Sequence, residues 1–556
     1  MKISVLQIRI TLFILLPAYL LLVAGCGQPE SVIQPENEPQ MEETVETGLS
    51  YGDTVIQSSM TDAINLNPVI CTDSYSRAIC TKVYGSLVRF NASLEIEAYL
   101  ADTWEMTPDC RSVTFRLKQG VHWEDGPELT ADDVKFTYDK LLDPAVKSPR
   151  RQRFAFIRTV EIIDSHEIRF DFTMPFSTAI CRFIMSIMPR HIFEHENFNE
   201  NDYNNHPVGI GPFKFIRWDK GEQIVLEANK ECYCGRPFVD SYIVRVVPDQ
   251  TVLFQYLLKG DLDVTALNGD QYLKQASDQE FTRRFNIYRY NAGTGYSFIA
   301  YNTRNEMFQK DVRKALSMAI DADAILKEIY YGLGRRVTGP FASSSSDYDS
   351  TLKPLPYSTI EAALLLSKSG WVDSDHDGVL EREGRKFSLV FSCSGGSRIS
   401  RLLVDRICGY WRNIGIRTTV EVEEWSSLLN RTKTGNFDVL TMSFDTECDP
   451  DQSLIWHSSN IPDPAHGSEG MNYAGYKNPE VDALWMEARA TLDREKKTAI
   501  YHRIHQLIYD DQPFTFLFSI DTIYAVDKRI CGIKPAPAGI FHNLSYWYVP
   551  KDRQKH

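Results

Sequence analysis

The sequence predicts an α/β protein with several domains. Strand-like and helix-like segments alternate along both halves of the chain, and residues 97–142 place a strand, two turns and a helix in close succession. The 556 residues, of which 43% are hydrophobic and 24% charged, leave room for about two to four domains. The formal net charge of −14 argues against nucleic acid as a partner, because that binding needs clustered lysine and arginine.

Residues 1–25 are typical of a lipoprotein signal peptide. Lys2 and Arg9 flank the start of an apolar run over residues 10–23, which is too short for a lasting transmembrane helix. The run ends in the motif VAGC, whose last residue is Cys26, and small residues before a cysteine resemble a bacterial lipobox. In that interpretation Cys26 is lipidated and becomes the mature N-terminus. The alternative is an ordinary signal peptide with an incidental cysteine.

Residues 26–47 are predicted to form a disordered acidic tether. The stretch after Cys26 is rich in glutamate, glutamine and proline and has no lysine or arginine, so it cannot bury enough apolar surface to fold. We therefore expect a protein held outside the cytoplasmic membrane by its lipid, in the periplasm or at the cell surface. Whether the anchor lies in an inner or an outer membrane stays open.

Ten cysteines follow Cys26, and in an oxidising compartment an even number suggests disulfides whose connectivity stays open. Cys71 and Cys80 are close enough in sequence to form a pair. Cys232 and Cys234 hint at a metal site, but no histidine lies near them. Buried thiols or separate disulfides are the favoured interpretation of these two.

The stretch 97–142 has the clearest local signals. Apolar and polar residues alternate over 113–117, as in a half-buried strand. Glycine-containing turns follow, and the aromatic turn around Trp123 is expected to be exposed. Thr130 then begins a helix, with Asp133 in the reciprocal position of a capping box.

The motif GIGP at 209–212 invites comparison with a phosphate-binding loop. Such a loop needs Gly-Lys-Ser/Thr and a helix, and neither follows here. The glycines are interpreted as a sharp turn where the chain passes between domains. A strand over 242–247 and a helix over 251–258 then form an α/β unit.

A second α/β pattern begins near residue 295. Ser358 and Glu361 form the expected capping box of one of its helices. The main strands and helices of this part are expected at 296–301, 310–320, 359–369, 398–414, 418–422, 426–432, 437–444, 479–511 and 514–518.

Asp373, Asp375 and Asp377, followed by Gly378, match the first half of a calcium-binding loop. The twelfth position, which should be a bidentate glutamate, is Gly384. Calcium stays an alternative, and an aspartate-rich turn before the next strand is the favoured interpretation. We expect no other metal and no cofactor.

Several motifs recur in the order found in one known family. They are ADTW at 101–104, VTFRL at 113–117, GVHWEDG at 120–126, TADDV at 130–134, PVGIGP at 207–212, DVRKA at 311–315 and FDV at 437–439. With them the chain resembles the family 5 extracellular solute-binding proteins, the receptors of ATP-binding-cassette importers for dipeptides, oligopeptides, nickel chelates and other small solutes. One departure is Cys110, where members usually have glycine.

This resemblance implies a periplasmic-binding-protein-like fold, with two lobes and an extra domain joined by two hinge strands. Domain I would be discontinuous and comprise 48–84, 203–292 and 519–556. Domain II would span 85–202, and domain III 293–518. A ligand that contacts both lobes only in the shut state would shift the protein toward that state.

The resemblance also implies ligand-binding positions. The loop 72–74 would pair with a peptide backbone as an added strand, and Trp425 would line a side-chain pocket. After the strand at 437–444, members place an aspartate against the ligand's α-ammonium. Glu447 takes that position when counted from the strand, and Thr446 when counted back from Pro450. The expected ligand-binding residues are Thr72, Asp73, Ser74, Tyr296, Trp425, Asp445, Thr446 and Glu447.

Two departures from the family pattern weaken peptide as the ligand: the loop over 443–450 is one residue short, and two arginines are missing. Thr432 and Thr441 stand where oligopeptide binders use arginines against the ligand carboxylate. A solvated acidic loop is also the alternative interpretation of Asp445, Glu447 and Asp449.

The implied function is that of a lipid-anchored, monomeric receptor that delivers a small solute, by default a peptide, to a permease and ATPase complex. A receptor for a nickel or other metal chelate or a sugar, and a surface sensor or adhesin, are the alternatives. We expect no enzymatic activity, because the sequence has neither Gly-x-Ser-x-Gly nor His-Glu-x-x-His.

Overall fold

The computed structural model describes residues 49–195, 197–291, 293–445, 449–463 and 470–555, with Asp445 described by its backbone alone. The expected signal peptide, the lipidation site Cys26 and the tether lie outside these residues, as do Thr446 and Glu447. Across the described ranges, no helix is long and apolar enough to cross a membrane.

The first described elements are strand β1 (Thr54–Ser59) and helix α1 (Ser74–Val83). Asp73 is the N-cap of α1, because its carboxylate accepts a hydrogen bond of 2.7 Å from the backbone N–H of Ser76.

The elements of the next segment are β2 (Val88–Phe90), β3 (Ile96–Ala98), β4 (Ala101–Met106), β5 (Ser112–Leu117), α2 (Ala131–Leu142), α3 (Arg151–Phe154), β6 (Ile157–Asp164), β7 (Glu167–Phe172) and α4 (Arg190–Phe193). Four of the strands form an antiparallel sheet in the order β4-β5-β7-β6, and β2 pairs with β3. The expected capping box of α2 is confirmed, since the N–H of Thr130 donates to Oδ2 of Asp133 at 3.0 Å.

Two details of this segment differ from simple sequence expectations. Trp123 was expected in an exposed turn but is only 2% exposed, so that expectation is wrong. The indole packs against the ring of His191, which also pairs with Asp125 at 2.8 Å and so folds the turn inward. Cys110 has φ of +55°, a conformation that glycine adopts most easily, which explains why the family usually has glycine there.

The chain then adds strands β8 to β12 and helices α5 to α7. Their bounds are β8 (Phe213–Asp219), β9 (Gln223–Ala228), β10 (Ser241–Val246), α5 (Gln250–Lys259), β11 (Val264–Ala266), α6 (Gly269–Gln275), α7 (Gln279–Arg284) and β12 (Phe285–Tyr290).

A second large α/β part follows. Its elements are β13 (Gly295–Tyr301), α8 (Lys310–Met318), α9 (Ala322–Ile329), β14 (Gly334–Arg336), α10 (Thr359–Lys368), β15 (Glu381–Arg382), β16 (Arg385–Lys386), β17 (Ser388–Ser394), α11 (Arg398–Arg412), β18 (Arg417–Glu423), α12 (Trp425–Thr434), β19 (Val439–Asp445), α13 (Ser453–Trp456), α14 (Pro479–Arg489), α15 (Arg494–Asp511), β20 (Phe514–Phe516) and β21 (Phe518–Ile520). Ser358 caps α10 by accepting from the N–H of Glu361 at 3.2 Å, but the reciprocal half of the expected capping box is absent, because the N–H of Ser358 donates to the carbonyl of Met318 at 2.8 Å.

The five-stranded sheet of this part has the order β18-β17-β19-β13-β20. Alternate residues of β13 enter two separate apolar cores: Ile299 and Tyr301 pack in one, Phe298 and Ala300 in the other. Strand β13, which lies between β19 and β20, is therefore covered on both faces, as its continuous apolar sequence requires.

Strand β22 (Thr522–Asp527) joins the sheet that contains β1. This sheet has seven strands in the order β12-β22-β11-β1-β10-β9-β8. This sheet and the four-stranded sheet share one apolar core, to which Val55, Phe115 and Trp547 belong. The seven-stranded sheet thus draws its strands from three separate parts of the chain.

Two connections join the seven-stranded and five-stranded sheets. One runs from β12 to β13, and the other runs from β20 to β22 through β21, which pairs with β14 in a separate two-stranded sheet. The amide of Asn291, in the first connection, donates to the carbonyl of Ser519 at 3.0 Å and to Oδ1 of Asp521 at 2.9 Å. The two crossing segments therefore lie side by side, where the sequence predicts hinge strands.

The glycines of the GIGP motif lie very close to the backbone of Val83. The N–H groups of Ile210 and Gly211 donate to the carbonyl of Val83 at 3.0 and 2.7 Å, at the end of α1. A Cβ on Gly209 would lie 2.0 Å from that carbonyl oxygen. Neither glycine has a positive φ. Lack of space, not a turn that only glycine can make, therefore explains them.

The cysteine expectations need correction. Cys232 and Cys234 are bonded to each other, whereas separate disulfides or buried thiols were expected. Cys71 and Cys80, which are close enough in sequence to be a plausible disulfide pair, are both free thiols in this structure, so that pairing is wrong. They remain neighbours: a hydrogen bond from Cys80, together with Arg150, lowers the pKa of Cys71 to about 6. Nη2 of Arg150 lies 3.5 Å from the sulfur of Cys71.

Candidate functional site

The loop before α1 exposes Thr72 and Ser74, while Asp73 is partly buried. The second carboxylate oxygen of Asp73 accepts from the hydroxyl of Ser76 at 2.6 Å. Because both oxygens serve the start of the helix, this carboxylate stabilises the loop's conformation. The exposed side chains and backbone of the loop remain for contact with a ligand.

Trp425 is the first residue of α12 and its side chain is 49% exposed. Glu424 caps the helix by accepting from the N–H of Ser426 at 2.8 Å. Behind the helix, Arg431 pairs with Glu421 at 2.7 Å and Glu423 at 3.0 Å, which fixes α12 against β18. The indole is thus a large, exposed apolar surface on a well-held helix.

Tyr296 and Asp445 lie at the same end of the five-stranded sheet. In the antiparallel pair β13–β19, Gly295 is opposite Asp445, and Tyr296 is opposite Phe444. Tyr296 is only 3% exposed, and burial raises the pKa of its hydroxyl. Its ring packs in the aromatic core below the strand end, so Tyr296 supports the position from which the acidic loop leaves the sheet.

The far end of the acidic loop is buried and paired. Oδ2 of Asp449 lies 2.6 Å from Nη2 of Arg182, and Oδ2 of Asp451 lies 2.6 Å from Nε of Arg489. Burial raises the pKa of Asp449 in spite of Arg182. For Asp451, burial is outweighed by Arg489, which lowers the pKa. A solvated loop therefore does not describe Asp449, which is 5% exposed.

The two threonines at the arginine positions of oligopeptide binders are both buried. The hydroxyl of Thr432 donates to the carbonyl of Leu429 at 2.6 Å, and that of Thr441 to the carbonyl of Phe298 at 2.9 Å. Their hydroxyls therefore satisfy backbone carbonyls inside the domain and replace no ligand-binding charge.

A cavity of about 250 Å³ lies beside Asp449 and Pro450. One wall is the loop 93–95, which precedes the four-stranded sheet, and the other walls come from the large second α/β part. Asp347 and Arg494, 3.2 Å apart, lie in its lining together with Gln452. The cavity is polar and is formed by segments far apart in sequence.

A second cavity, of about 220 Å³, lies along α1, next to the exposed loop 72–74. Tyr75 and Lys82 of α1, Val244 of β10 and Tyr524 of β22 are among its lining residues. Each cavity thus adjoins one predicted ligand-binding segment. Sequence reasoning missed Arg182, Arg489 and Lys82, although the spacing of Tyr75, Ala78, Ile79 and Lys82 on one helix face could have indicated the last.

In the aspartate-rich turn, the ammonium group of Lys386 already lies next to the carboxylates. Oxygens of Asp373, Asp375 and Asp377 lie within 4.8 Å of one another. Nζ of Lys386 is 2.6 Å from Asp375 and 2.9 Å from Asp377. The hydrogen bond from Lys386 lowers the pKa of Asp375. This ammonium balances charge that calcium would otherwise neutralise, which favours the turn interpretation.

The chain is similar to known proteins in both sequence and fold. A family model described as bacterial extracellular solute-binding proteins, family 5 Middle, matches residues 95–463. The oligopeptide-binding protein AppA of Bacillus subtilis is 30% identical over 513 residues, which cover 90% of this chain and 92% of AppA. Heme-binding protein A of Haemophilus influenzae is 25% identical over 94% of this chain and 96% of its own length.

Solved structures agree in fold. AppA from Bacillus subtilis in complex with a nonapeptide aligns with a TM-score of 0.76 at 29% identity, over 90% of this chain and all of that one. NikZ from Campylobacter jejuni in complex with Ni(L-His) aligns with a TM-score of 0.75 at 25% identity, over 89% and 99% of the two chains. The expected periplasmic-binding-protein-like α/β fold is thereby confirmed.

Proposed function

Because the chain belongs to the bacterial extracellular solute-binding proteins of family 5, we propose that it is a lipid-anchored receptor that captures a peptide between two lobes and delivers it to an ATP-binding-cassette permease. The observation that most supports peptide as the ligand is the similarity to AppA, whose structure holds a nonapeptide. That similarity extends over nine-tenths of the chain.

The proposed mechanism is closure of the lobes around the ligand. The two connections between the sheets run side by side at Asn291 and Asp521, which suits a short hinge. Ligand would contact the loop 72–74 from domain I (48–84, 203–292 and 519–556), and Trp425 with the loop 445–447 from domain III (293–518). Domain II (85–202) would support domain I, with which it shares a core.

A metal chelate is the second candidate ligand. It is favoured by the likeness to NikZ, whose structure holds Ni(L-His) at 25% identity. A chelate would not pair with the loop 72–74 as an added strand. Neutral or anionic groups of the protein would have to contact it instead.

Mass spectrometry of small molecules released from the natively purified protein tests the ligand class. Peptides should predominate, and a peptide pool should raise the unfolding temperature of protein stripped by unfolding and refolding. Release of metal chelates or sugars alone would contradict the peptide assignment. Conversion of Cys26 to alanine should release the protein from membranes; unchanged membrane association would contradict lipidation at Cys26.

Glu447→Gln tests the proposed contact with the peptide's α-ammonium. We expect about tenfold weaker binding, because a charge-assisted hydrogen bond is replaced by a neutral one. The matched control is Glu487→Gln on α14, an exposed position that loses the same charge. Equal affinities of the two variants would remove Glu447 from the site.

A further inference from the structure

The cavity along α1 has mostly apolar walls. Tyr75, Ala78, Ile79 and Lys82 follow one another at helical spacing and form its α1 side. The facing wall is made of aliphatic side chains from β9 and β10, including Ile224 and Val246. A volume of about 220 Å³ accommodates several carbon atoms.

The two charged residues in this lining, Asp62 and Lys82, differ in how they are paired. Asp62 accepts from the indole N–H of Trp218 at 3.0 Å and from the N–H of Gly221 at 2.7 Å. The N–H of Ala63 also donates to it at 2.9 Å, so this carboxylate is already satisfied by three donors.

Lys82 has one hydrogen bond, from Nζ to the carbonyl of Ala78 at 2.8 Å. Its ammonium lies 5.5 Å from the ring centre of Tyr242 and 5.9 Å from that of Phe541. Among the residues that the structure describes, no carboxylate forms an ion pair with it. Burial lowers the pKa of Lys82 to about 8, as expected for an ammonium without a counter-ion.

An ammonium has three N–H donors, and a partly buried one is costly without an anion nearby. We propose that the cavity beside α1 binds a carboxylate-bearing, aliphatic part of the ligand, with Lys82 as the counter-ion of that carboxylate. The inference rests on the proposed function, because it assigns a place to one end of the captured solute. A single positive charge among apolar walls suits a monoanion with an aliphatic body better than a phosphate, which needs more donors.

The position of the cavity supports this assignment. Tyr75, at its rim, directly follows the loop 72–74. A solute held along that loop therefore lies next to the cavity. The competing explanation is that Lys82 serves only the end of α1, where a basic side chain favours the helix dipole.

Binding of hexanoate and of its neutral isostere hexanamide distinguishes the two explanations. Both probes are titrated into the purified chain and followed by NMR. We expect wild type to bind hexanoate about tenfold more tightly than hexanamide, the selectivity expected from a charged hydrogen bond. Lys82→Met should abolish the preference, and Lys82→Arg should keep it.

The matched control is Lys140→Met. Lys140 is the last-turn lysine of α2 and also lies over two rings, those of Phe136 and Phe198, but it is not part of the cavity. This variant should keep the preference for hexanoate. No preference in wild type, or one that survives Lys82→Met, would overturn the proposal. Stabilisation by the peptide pool is measured in parallel, so that failure of the receptor function and failure of this site give different results.

Discussion

The carboxylate of Asp449 and the guanidinium of Arg182 form an ion pair of 2.6 Å that joins the end of the acidic loop to the 3-10 turn Ala179–Arg182. The side chains are 5% and 12% exposed. Nearby, the hydroxyl of Ser177 donates to the carbonyl of Ala488 at 2.9 Å. These contacts hold the segment after the four-stranded sheet against the five-stranded part.

Arg182→Met should lower the free energy of unfolding by about 3–5 kcal/mol, because it leaves a buried carboxylate without its partner. Adding Asp449→Asn should recover part of that loss, since the remaining group is then neutral. Urea unfolding of the wild type, of Arg182→Met and of the double variant measures both effects.

The control for this prediction is Arg401→Met. Arg401 pairs with Asp405 at 2.8 Å, but both side chains are about half exposed. Its loss should therefore cost less than about 1 kcal/mol. If Arg182→Met is as mild as Arg401→Met, the buried pair does not stabilise this arrangement.

Gly209→Ala should strongly destabilise the protein. The added Cβ would lie 2.0 Å from the carbonyl of Val83, which itself accepts two backbone hydrogen bonds and cannot move freely. We expect a loss of several kcal/mol, more than about 3, or failure to fold. In contrast, Gly409→Ala in α11 meets no atom within 4 Å and should stabilise the helix by about 0.5–1 kcal/mol. Thermal unfolding of both variants checks the prediction, and similar midpoints would contradict it.

Local patterns predicted local structure well in this chain. The capping box at Thr130 and the cap at Ser358 are encoded within four residues, and both are present. Contacts between distant segments were not predictable in this way. The pair Arg182–Asp449 joins residues that no periodicity relates. Trp123 looked exposed because its turn is polar, and only its packing against His191 shows that it is buried.

The candidate site shows the same limit. The family resemblance indicated the loop 72–74 and Trp425. In the structure, the side chains of Thr72, Ser74 and Trp425 are exposed. The cavities beside them depend on side chains that converge from several strands and helices. Helical spacing could therefore place Lys82 on one face of α1, but it could not show that a cavity lies against that face.

Calcium should leave the stability of wild type unchanged, because the ammonium of Lys386 already lies between Asp375 and Asp377. Lys386→Met removes that charge and leaves the carboxylates to repel one another. The variant should therefore gain stability on addition of millimolar calcium, the range of weak extracellular sites. Unfolding temperatures with calcium and with a chelator measure this. Stabilisation of wild type by calcium would show that the ion displaces the lysine.

His505 is a residue of α15 and is fully buried against the segment after β14. Its Nδ1 accepts from the N–H of Asp349 at 3.1 Å, which leaves Nε2 to bear the proton and donate to the hydroxyl of Thr338 at 3.1 Å. Gly339 leaves room for the ring, since a Cβ there would lie 2.0 Å from Nε2. Burial lowers the pKa of His505 to about 4, from the 6.5 of a free histidine.

Acid should therefore destabilise the fold through His505. Above pH 6.5 the imidazole is neutral in both the folded and unfolded states and the pH has no effect through it. As the pH falls from 6.5 toward 4, the unfolded chain binds a proton that the folded protein rejects, so the free energy of unfolding drops, by about 3 kcal/mol in all. His505→Gln should be less stable at neutral pH but lose less stability over this interval, whereas His502→Gln, at a less buried position of the same helix, should keep the wild-type slope. Urea unfolding at several pH values measures the slopes; parallel curves for wild type and His505→Gln would show that another group causes the acid sensitivity.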